Sequence, residues 1–139
     1  MSAYSTTRLA RKLGIKEGSV IRLYHQPPGY RSLFTDWPEN VVTDEDSGNK
    51  KDLIHFFTQS AEELQHSLPG LKDEIRPNGA IWISWPKKAS KVPTDLTEDV
   101  IRELALAAGL VDIKVCSVDD TWSGLKLVIP LKDRKEKKV

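Results

Sequence analysis

Ten residues in four loop segments are candidates for ligand binding, because tryptophan, lysine and aspartate collect there. Tryptophan offers a large apolar face and one N–H donor. Lysine offers a point charge for phosphate or carboxylate, and aspartate accepts hydrogen bonds. Each segment follows a stretch with the pattern of a strand. The candidate ligand-binding residues are Pro28, Gly29, Tyr30, Trp85, Lys87, Lys88, Ser90, Asp119, Asp120 and Trp122.

In the functional interpretation, Lys87 and Lys88 supply charge, the two tryptophans supply flat apolar surface, and either aspartate accepts a hydrogen bond. Helices predicted to begin near Ser60 and Thr97 would add partial positive charge at the same place. The alternative interpretation makes the tryptophans packing plugs over the end of the sheet, with the lysines solvated. Both interpretations place all ten residues at one rim.

The sequence indicates no catalytic residue and no metal site. His25, His55 and His66 do not stand at metal-ligand spacing with other ligands, and each is expected to be structural. Nucleophile-elbow, phosphate-loop and dinucleotide-loop motifs are missing. Cys116 lies in an alternating strand and is expected to be a buried, inert thiol, because no basic neighbour is evident in the sequence.

Hydrophobic periodicity predicts the elements that position these loops. Gly14 is predicted to end the first helix, and Ser60 with Glu63 forms a capping box. The predicted helices and strands are Thr6–Leu13, Ser19–Tyr24, Tyr30–Phe34 (one helical turn), Val41–Val42, Leu53–Thr58, a helix from Ser60, Ala80–Trp85, Thr97–Leu106, Val111–Val118 and Leu125–Ile129.

Two prolines and one glycine interrupt this pattern. Pro69 lies inside the apolar stripe that follows Ser60, so we expect one helix to stop near Leu68 and a second to begin with Pro69 in its first turn. Pro77-Asn78-Gly79 is predicted to be a turn. The polar, acidic stretch from Thr43 to Lys51 is predicted to be a loop.

The alternation of strands and helices predicts an α/β fold with three layers and a mostly parallel sheet. The last two strands must be antiparallel, because the loop Asp119–Gly124 is too short for a crossover. In a parallel sheet, loops after the carboxyl ends of strands share one edge, where ligands bind. This geometry is the reason for grouping the ten candidates.

Length and composition favour one domain over residues 1–131, followed by a charged, disordered tail at 132–139. The chain has 139 residues and a net charge of +1, so we do not expect a nucleic-acid partner. No stretch is long and apolar enough for a membrane span, and no signal-peptide pattern is visible. We therefore expect a cytoplasmic protein without a membrane partner.

Several motifs resemble a family of small bacterial proteins catalogued only as a domain of unknown function. The resemblance covers roughly residues 5–130, and its most distinctive strings are Trp-Pro-Lys-Lys at 85–88 and Thr-Trp-Ser-Gly-Leu-Lys at 121–126. The other matching segments are Leu9–Lys16, Pro27–Gly29, Val92–Glu98 and Asp112–Cys116.

Leu71–Ile83 and the elements after it are also similar to the end of S-adenosylmethionine-dependent methyltransferases, which implies a Rossmann-like fold. Those enzymes use a glycine-rich loop after the first strand, whereas this chain has His25-Gln26-Pro27-Pro28-Gly29. Proline lacks an N–H donor and adds bulk. Asp44, Glu45 and Asp46 are stand-ins for the acidic residue that holds the cofactor ribose. We expect no bound cofactor.

These observations favour a non-catalytic, methyltransferase-like module. It would bind a small anionic or nucleotide-like ligand, or the acidic segment of a protein partner, at the carboxyl edge of the strands. One alternative is a methyltransferase with a degenerate cofactor loop. Another is a structural domain that forms homo-oligomers through the exposed edge of the final hairpin.

Overall fold

The computed structural model describes residues 8–134, and its core is one six-stranded sheet with helices on both faces. The strand order is β2-β1-β3-β4-β6-β5, with the first four strands parallel and the last two antiparallel to their neighbours. The elements are α1 (Leu9–Leu13), β1 (Val20–Tyr24), β2 (Val42–Thr43), β3 (Lys51–Phe57), α2 (Ala61–Glu74), β4 (Ile75–Pro86), α3 (Glu98–Ala107), β5 (Val111–Ser117) and β6 (Trp122–Val128).

This architecture confirms the predicted three-layer α/β fold with an antiparallel C-terminal hairpin. Three 3-10 turns lie at Tyr30–Leu33, Lys88–Ser90 and Leu131–Asp133. The last turn includes the first residues of the predicted disordered tail. Residues 135–139 of that tail lie outside the described residues.

Each face of the sheet has its own hydrophobic cluster, because successive side chains of a strand point to opposite faces. On one face α2 and α3 pack against Ile54, Phe56, Ile81 and Ile83. On the other face α1 and the Tyr30–Leu33 turn pack against a second set, which includes Leu53, Phe57, Trp82 and Val118. We call these the α2/α3 face and the α1 face.

The start of the chain is held to the sheet through the carboxyl end of α1. Gly14 ends the helix in the left-handed conformation at φ 89°, which confirms the predicted stop. The indole N–H of the buried Trp82 donates a hydrogen bond to the carbonyl of Leu13 at 2.7 Å. The described helix begins at Leu9, and residues 6 and 7 of the predicted helix lie outside the described residues.

The predicted break at Pro69 is wrong, because α2 runs without interruption from Ala61 to Glu74. Proline inside a helix removes one backbone hydrogen bond and costs about 3 kcal/mol. Leu64, Leu68 and Leu71 are all buried on the sheet, on both sides of Pro69. Their burial is worth about 1.5–3 kcal/mol each, which outweighs the cost of a proline on the exposed side.

The predicted turn at Pro77-Asn78-Gly79 is also wrong, because these residues belong to β4. Lys51 pairs with Ile75 and Leu53 pairs with Ala80, so β4 carries extra residues at this point. The turn-forming residues are accommodated as an irregularity within the strand. A Cβ atom at Gly79 would lie 3.0 Å from the carbonyl oxygen of Lys51, so the close pairing needs glycine.

A buried ion cluster joins β1, the first residue of β3 and the last residue of α2. The Lys51 side chain is fully buried, and its Nζ lies 2.9 Å from a carboxylate oxygen of Glu74. Arg22 pairs with the same oxygen at 2.9 Å, and Tyr24 donates its hydroxyl to the other oxygen at 2.8 Å. Lys51 also donates to two carbonyls of the short loop between β2 and β3. The prediction that Lys51 ends that loop is wrong, because Lys51 is the first residue of β3.

Candidate ligand site at the carboxyl edge of the sheet

Hydrogen bonds join the loops that follow β3, β4 and β5 at one edge of the sheet. The amide of Lys87, after β4, donates to the carbonyl of Thr121 in the hairpin at 2.7 Å. The Thr94 hydroxyl donates to the carbonyl of Gln59 at 2.6 Å, and the Gln59 side chain donates to the carbonyl of Pro93 at 3.0 Å. The loops therefore lie together, as parallel strands require.

The two candidate tryptophans lie on opposite faces of the sheet. Trp85 pairs with Ser123, and the next residue, Pro86, pairs with Trp122, so the two indoles alternate. Trp85 is buried in the α2/α3 cluster. Trp122 packs edge-on against Phe57 on the α1 face, with ring centroids 5.1 Å apart. A single ligand does not contact both indoles as flat walls of one pocket.

Of the three candidates after β1, two lie in an exposed turn and the third is buried. Pro28 and Gly29 are exposed, with Gly29 at φ 80°. Tyr30 is 4% exposed, and its hydroxyl lies 2.8 Å from Nδ1 of His55. Burial raises the pKa of Tyr30. Its ring therefore fills space beneath the sheet edge.

His55 links Tyr30 to a buried serine. Its Nε2 lies 2.8 Å from the hydroxyl of Ser84, so both ring nitrogens have partners. Complete burial lowers the pKa of His55 to about 3, because a charged imidazole is costly in an apolar core. The ring is neutral and structural at neutral pH.

Two polar candidates shape their own loops. The Asp119 carboxylate accepts hydrogen bonds from the amides of Thr121 and Trp122 at 2.9 and 2.8 Å. The Ser90 hydroxyl donates to the carbonyl of Lys87 at 2.6 Å and accepts from the amide of Val92 at 3.2 Å. Asp120 is exposed at the tip of the hairpin.

A pocket of about 500 Å³ lies between the β4–α3 loop and the beginning of α3. Its apolar lining comes from Trp85, Val92, Pro93 and Leu96, with Pro86 beside them. The polar lining consists of Lys88, Lys91, Thr94, Thr97 and Glu98. Among the ten candidates, Trp85 and Lys88 line this pocket.

Lys91 was not among the predicted site residues, although the sequence shows it close to Lys87 and Lys88. Its backbone is left-handed, at φ 63°. The other predicted lysine, Lys87, points away from the pocket and donates to the hydroxyl of Ser117 at 2.7 Å. Lys88 and Lys91 therefore line the same pocket, and Lys87 does not.

The predicted contribution of helix N-termini to the rim is reduced by protein caps. The Ala61 amide of α2 donates to the Asp95 carboxylate at 2.9 Å, and the Glu63 amide donates to the Ser60 hydroxyl at 3.1 Å. In α3, the Thr97 hydroxyl accepts from the amide of Val100 at 3.1 Å. These three amides already have acceptors, and the side chains of Lys88 and Lys91 add positive charge to the pocket.

The chain's own residues do not fit S-adenosylmethionine. Pro27 and Pro28 leave the loop after β1 without the N–H donors of a glycine-rich turn, and Tyr30 is packed beneath it. Asp44 uses both carboxylate oxygens inside its own loop, on the amide of Asp46 and the side chain of Asn49. These hydrogen bonds lower the pKa of Asp44. The loop after β1 therefore lacks the donors of such a cofactor site, and Asp44 is not a free acceptor.

Two features of the structure were not predicted from the sequence. One is a second groove of about 490 Å³ along β1 and α2, which brings His25 and His66 to the same surface. The other is a lysine cluster, Lys12, Lys87 and Lys114, around Cys116. Burial raises the pKa of Cys116, and the three lysines oppose that shift. The three lysines come from segments far apart in sequence, so no local motif predicts the cluster.

The strand order and the antiparallel C-terminal hairpin define an α/β domain with a methyltransferase-like fold. Residues 10–131 match the family described as protein of unknown function (DUF3052), and the chain belongs to this family. A search of curated proteins finds no match. In the described residues no helix is long and apolar enough to cross a membrane.

Solved methyltransferases share the fold at low sequence identity. A protein from Sulfolobus solfataricus that is described as a type 11 methyltransferase superposes with a TM-score of 0.63 at 15% identity. The superposition covers 90% of this chain and 91% of that one. A SAM-dependent methyltransferase from Aquifex aeolicus gives 0.60 at 17% identity, with 86% and 87% covered. The magnesium protoporphyrin IX methyltransferase of Synechocystis, solved with bound SAH, gives 0.52 at 12% identity, with 83% and 75% covered.

Proposed function

We propose that this protein is a non-catalytic, methyltransferase-like module that binds a small anionic ligand with an apolar, nucleotide-like body. The ligand would occupy the pocket between the β4–α3 loop and α3. The observation that supports this proposal is the combination of an indole wall at Trp85 with two lysines, Lys88 and Lys91, around one cavity. Small-molecule sites are typically apolar pockets with a few polar groups that fix orientation.

The charge around the pocket favours an anion. Lys88 and Lys91 face one carboxylate, Glu98, which is already paired with Arg102 at 2.6 Å. The lysines form no ion pair within residues 8–134. A phosphate or carboxylate would therefore supply the missing counter-charge, while Trp85 and Leu96 would cover an aromatic or aliphatic body.

The altered loop after β1 supports a non-catalytic role. Its prolines, the buried Tyr30 and the internally bonded Asp44 remove the features that hold the methyl donor in enzymes of this fold. The alternative of a degenerate methyltransferase is favoured only by the shared fold. The two proposals differ in which small molecule binds and where.

Calorimetric titration with adenosine monophosphate and with S-adenosylmethionine separates these alternatives. We expect adenosine monophosphate to bind and S-adenosylmethionine to give no saturable heat. Replacing both Lys88→Ala and Lys91→Asn should weaken adenosine monophosphate binding at least about tenfold, because two charge-assisted contacts are lost. Asparagine is chosen because it tolerates the left-handed backbone at position 91.

The matched control is Lys132→Ala, an exposed lysine in the C-terminal 3-10 turn. It should leave the affinity unchanged. Tight binding of S-adenosylmethionine with no response to adenosine monophosphate would overturn the proposal in favour of a methyltransferase. Equal loss of affinity in the Lys132 variant would show that only net charge matters.

A further inference from the structure

The outer side of β5 is an unpaired edge of the sheet. β5 is last in the strand order, and within residues 8–134 no strand pairs with its outer side. In an antiparallel pair, the backbone groups of alternate residues point away from the partner. Ile113 is the extra residue where the register with β6 shifts between Asp112 and Lys114. The regular edge is therefore the half-strand from Lys114 to Ser117.

Apolar side chains border this edge on the α2/α3 face. Val115 pairs with Leu125, a member of the α2/α3 cluster, yet Val115 is 51% exposed. Ile113 is 56% exposed. Exposed β-branched residues on an unpaired strand are suited to packing against a further strand.

Lysines border the same edge on the α1 face. Lys114 pairs across the hairpin with Lys126, and its Nζ donates to the carbonyl of Lys12 at 3.1 Å. Lys12 and Lys87 both donate to Ser117, one to its carbonyl and one to its hydroxyl. None of these lysines takes part in an ion pair formed within the described part of the chain.

The nearby carboxylates do not neutralise this charge. Asp112 on the same strand pairs with Arg102 of α3 at 3.0 Å. Asp119 in the hairpin is held by two backbone amides. The lysines also repel one another. Burial lowers the pKa of Lys126 most, and the charges of Lys114 and Lys16 lower it further. An anionic partner would relieve this repulsion.

We propose that β5 binds an extended acidic segment of a partner protein, which adds to the sheet as a further strand. Its backbone would pair with Lys114–Ser117 and would displace the Lys12 ammonium from the carbonyl of Ser117. Its apolar residues would cover Ile113 and Val115, and its carboxylates would face the lysines. This mode combines backbone hydrogen bonds for affinity with alternate side chains for specificity.

Charge and shape favour this partner over two others. Two copies paired through β5 would bring both sets of lysines together on one face of the joined sheet, and like charges opposite each other destabilise strand pairing. A nucleic acid would satisfy the lysines but would use neither the backbone edge nor Ile113 and Val115. The proposal is independent of the pocket beside Trp85, which lies on another loop.

The test uses a fluorescein-labelled, end-blocked peptide of alternating glutamate and valine, titrated into the full chain and followed by anisotropy. We expect saturable binding and slower hydrogen exchange of the β5 amides. Lys114→Glu should weaken binding at least about tenfold, since it places like charges opposite each other. Lys114→Gln should have an intermediate effect, and Lys132→Glu, with the same charge change on a distant exposed lysine, should remain within about twofold of the parent.

Thermal melts confirm that each variant folds, and an alternating lysine–valine peptide should fail to bind. No saturable binding of the acidic peptide to the folded parent chain would overturn the proposal. Equal binding of a short DNA duplex, lost in Lys114→Glu, would show a general polyanion surface instead. A dimer in sedimentation velocity without peptide, together with slowed hydrogen exchange of the β5 amides at high protein concentration, would assign the edge to a second copy.

Discussion

Trp85 and Trp122 reach the same edge of the sheet on neighbouring antiparallel strands, but their side chains lie on opposite faces. The pairing of Trp85 with Ser123 and of Pro86 with Trp122 fixes this relationship. The indole of Trp85 therefore belongs to the pocket beside α3, while that of Trp122 packs on Phe57. The rim has two sides, and the cavity with two lysines is on the α2/α3 side.

Glu74 is expected to be essential for stability, because it balances the charge of the fully buried Lys51. Glu74→Gln would leave Lys51 and Arg22 without their counter-charge, and we expect a loss of about 3–5 kcal/mol in the free energy of unfolding. Urea titration at pH 7 measures the loss. The control is Asp99→Asn, which removes an exposed pair with Arg102 and should cost less than about 1 kcal/mol.

The same cluster predicts acid sensitivity. Burial alone would raise the pKa of Glu74, but hydrogen bonds from Lys51, Tyr24 and Arg22 outweigh it and hold the pKa below its ordinary value of 4.5. The folded state thus favours the carboxylate. Its stabilisation is fully present above pH 4.5 and is lost as the pH falls through the lowered folded-state value.

His55 is expected to cause a separate loss of stability at mildly acidic pH. Its pKa falls from 6.5 to about 3 on folding, so between those values the unfolded chain takes up a proton that the folded chain does not. Stability should fall by up to about 1.4 kcal/mol per pH unit as the pH drops below 6.5. Urea midpoints at pH 7 and pH 5 measure this fall.

His55→Gln retains hydrogen-bonding groups but does not titrate, so its stability should change less between pH 7 and pH 5. His66→Gln is the matched control, because His66 is exposed on α2 and its replacement should leave the pH dependence as in the parent. A steep fall that persists unchanged in the His55 variant would contradict the assignment.

Replacing Gly79 or Gly70 by alanine should change the stability of the chain in opposite directions. A Cβ at Gly79 would meet carbonyl oxygens of Lys51, Arg76 and Asp52 at 3.0–3.1 Å, so Gly79→Ala should destabilise the chain by about 1–3 kcal/mol. Gly70 lies in α2 with open space around it, so Gly70→Ala should stabilise by about 0.5–1 kcal/mol. Thermal unfolding compares the two variants, and equal shifts would argue against the strained pairing of β4.

Much of the fold was predictable, because periodicity and local caps encode it. Gly14, Ser60 and Thr97 mark helix ends where the structure places them, and the short loop after Val118 required an antiparallel hairpin. The errors at Pro69 and at Pro77-Asn78-Gly79 have different causes. At Pro69, burial of the leucines on both sides outweighs the breaker signal. At Pro77-Asn78-Gly79, the turn-forming residues are accommodated as an irregularity in the pairing of β4 with β3.

The site was only partly predictable, because sequence shows which loops share an edge but not which face each residue takes. Trp85 pairs with Ser123 and not with Trp122, and this offset of one residue places the two indoles on opposite faces of the sheet. The inward packing of Tyr30 depends on a distant partner, His55. Likewise, the lysines around Cys116 come from α1, the loop after β4, and β5, and no spacing rule relates these segments.

The most direct test of the pocket is an NMR titration of the assigned protein with adenosine monophosphate, followed through backbone amide shifts. We expect the shifted amides to concentrate at residues 85–98 and to lose their response in the Lys88→Ala, Lys91→Asn variant. Shifts centred on residues 25–30 and 44–46, unchanged in that variant, would contradict it and return the binding site to the place where methyltransferases hold their cofactor.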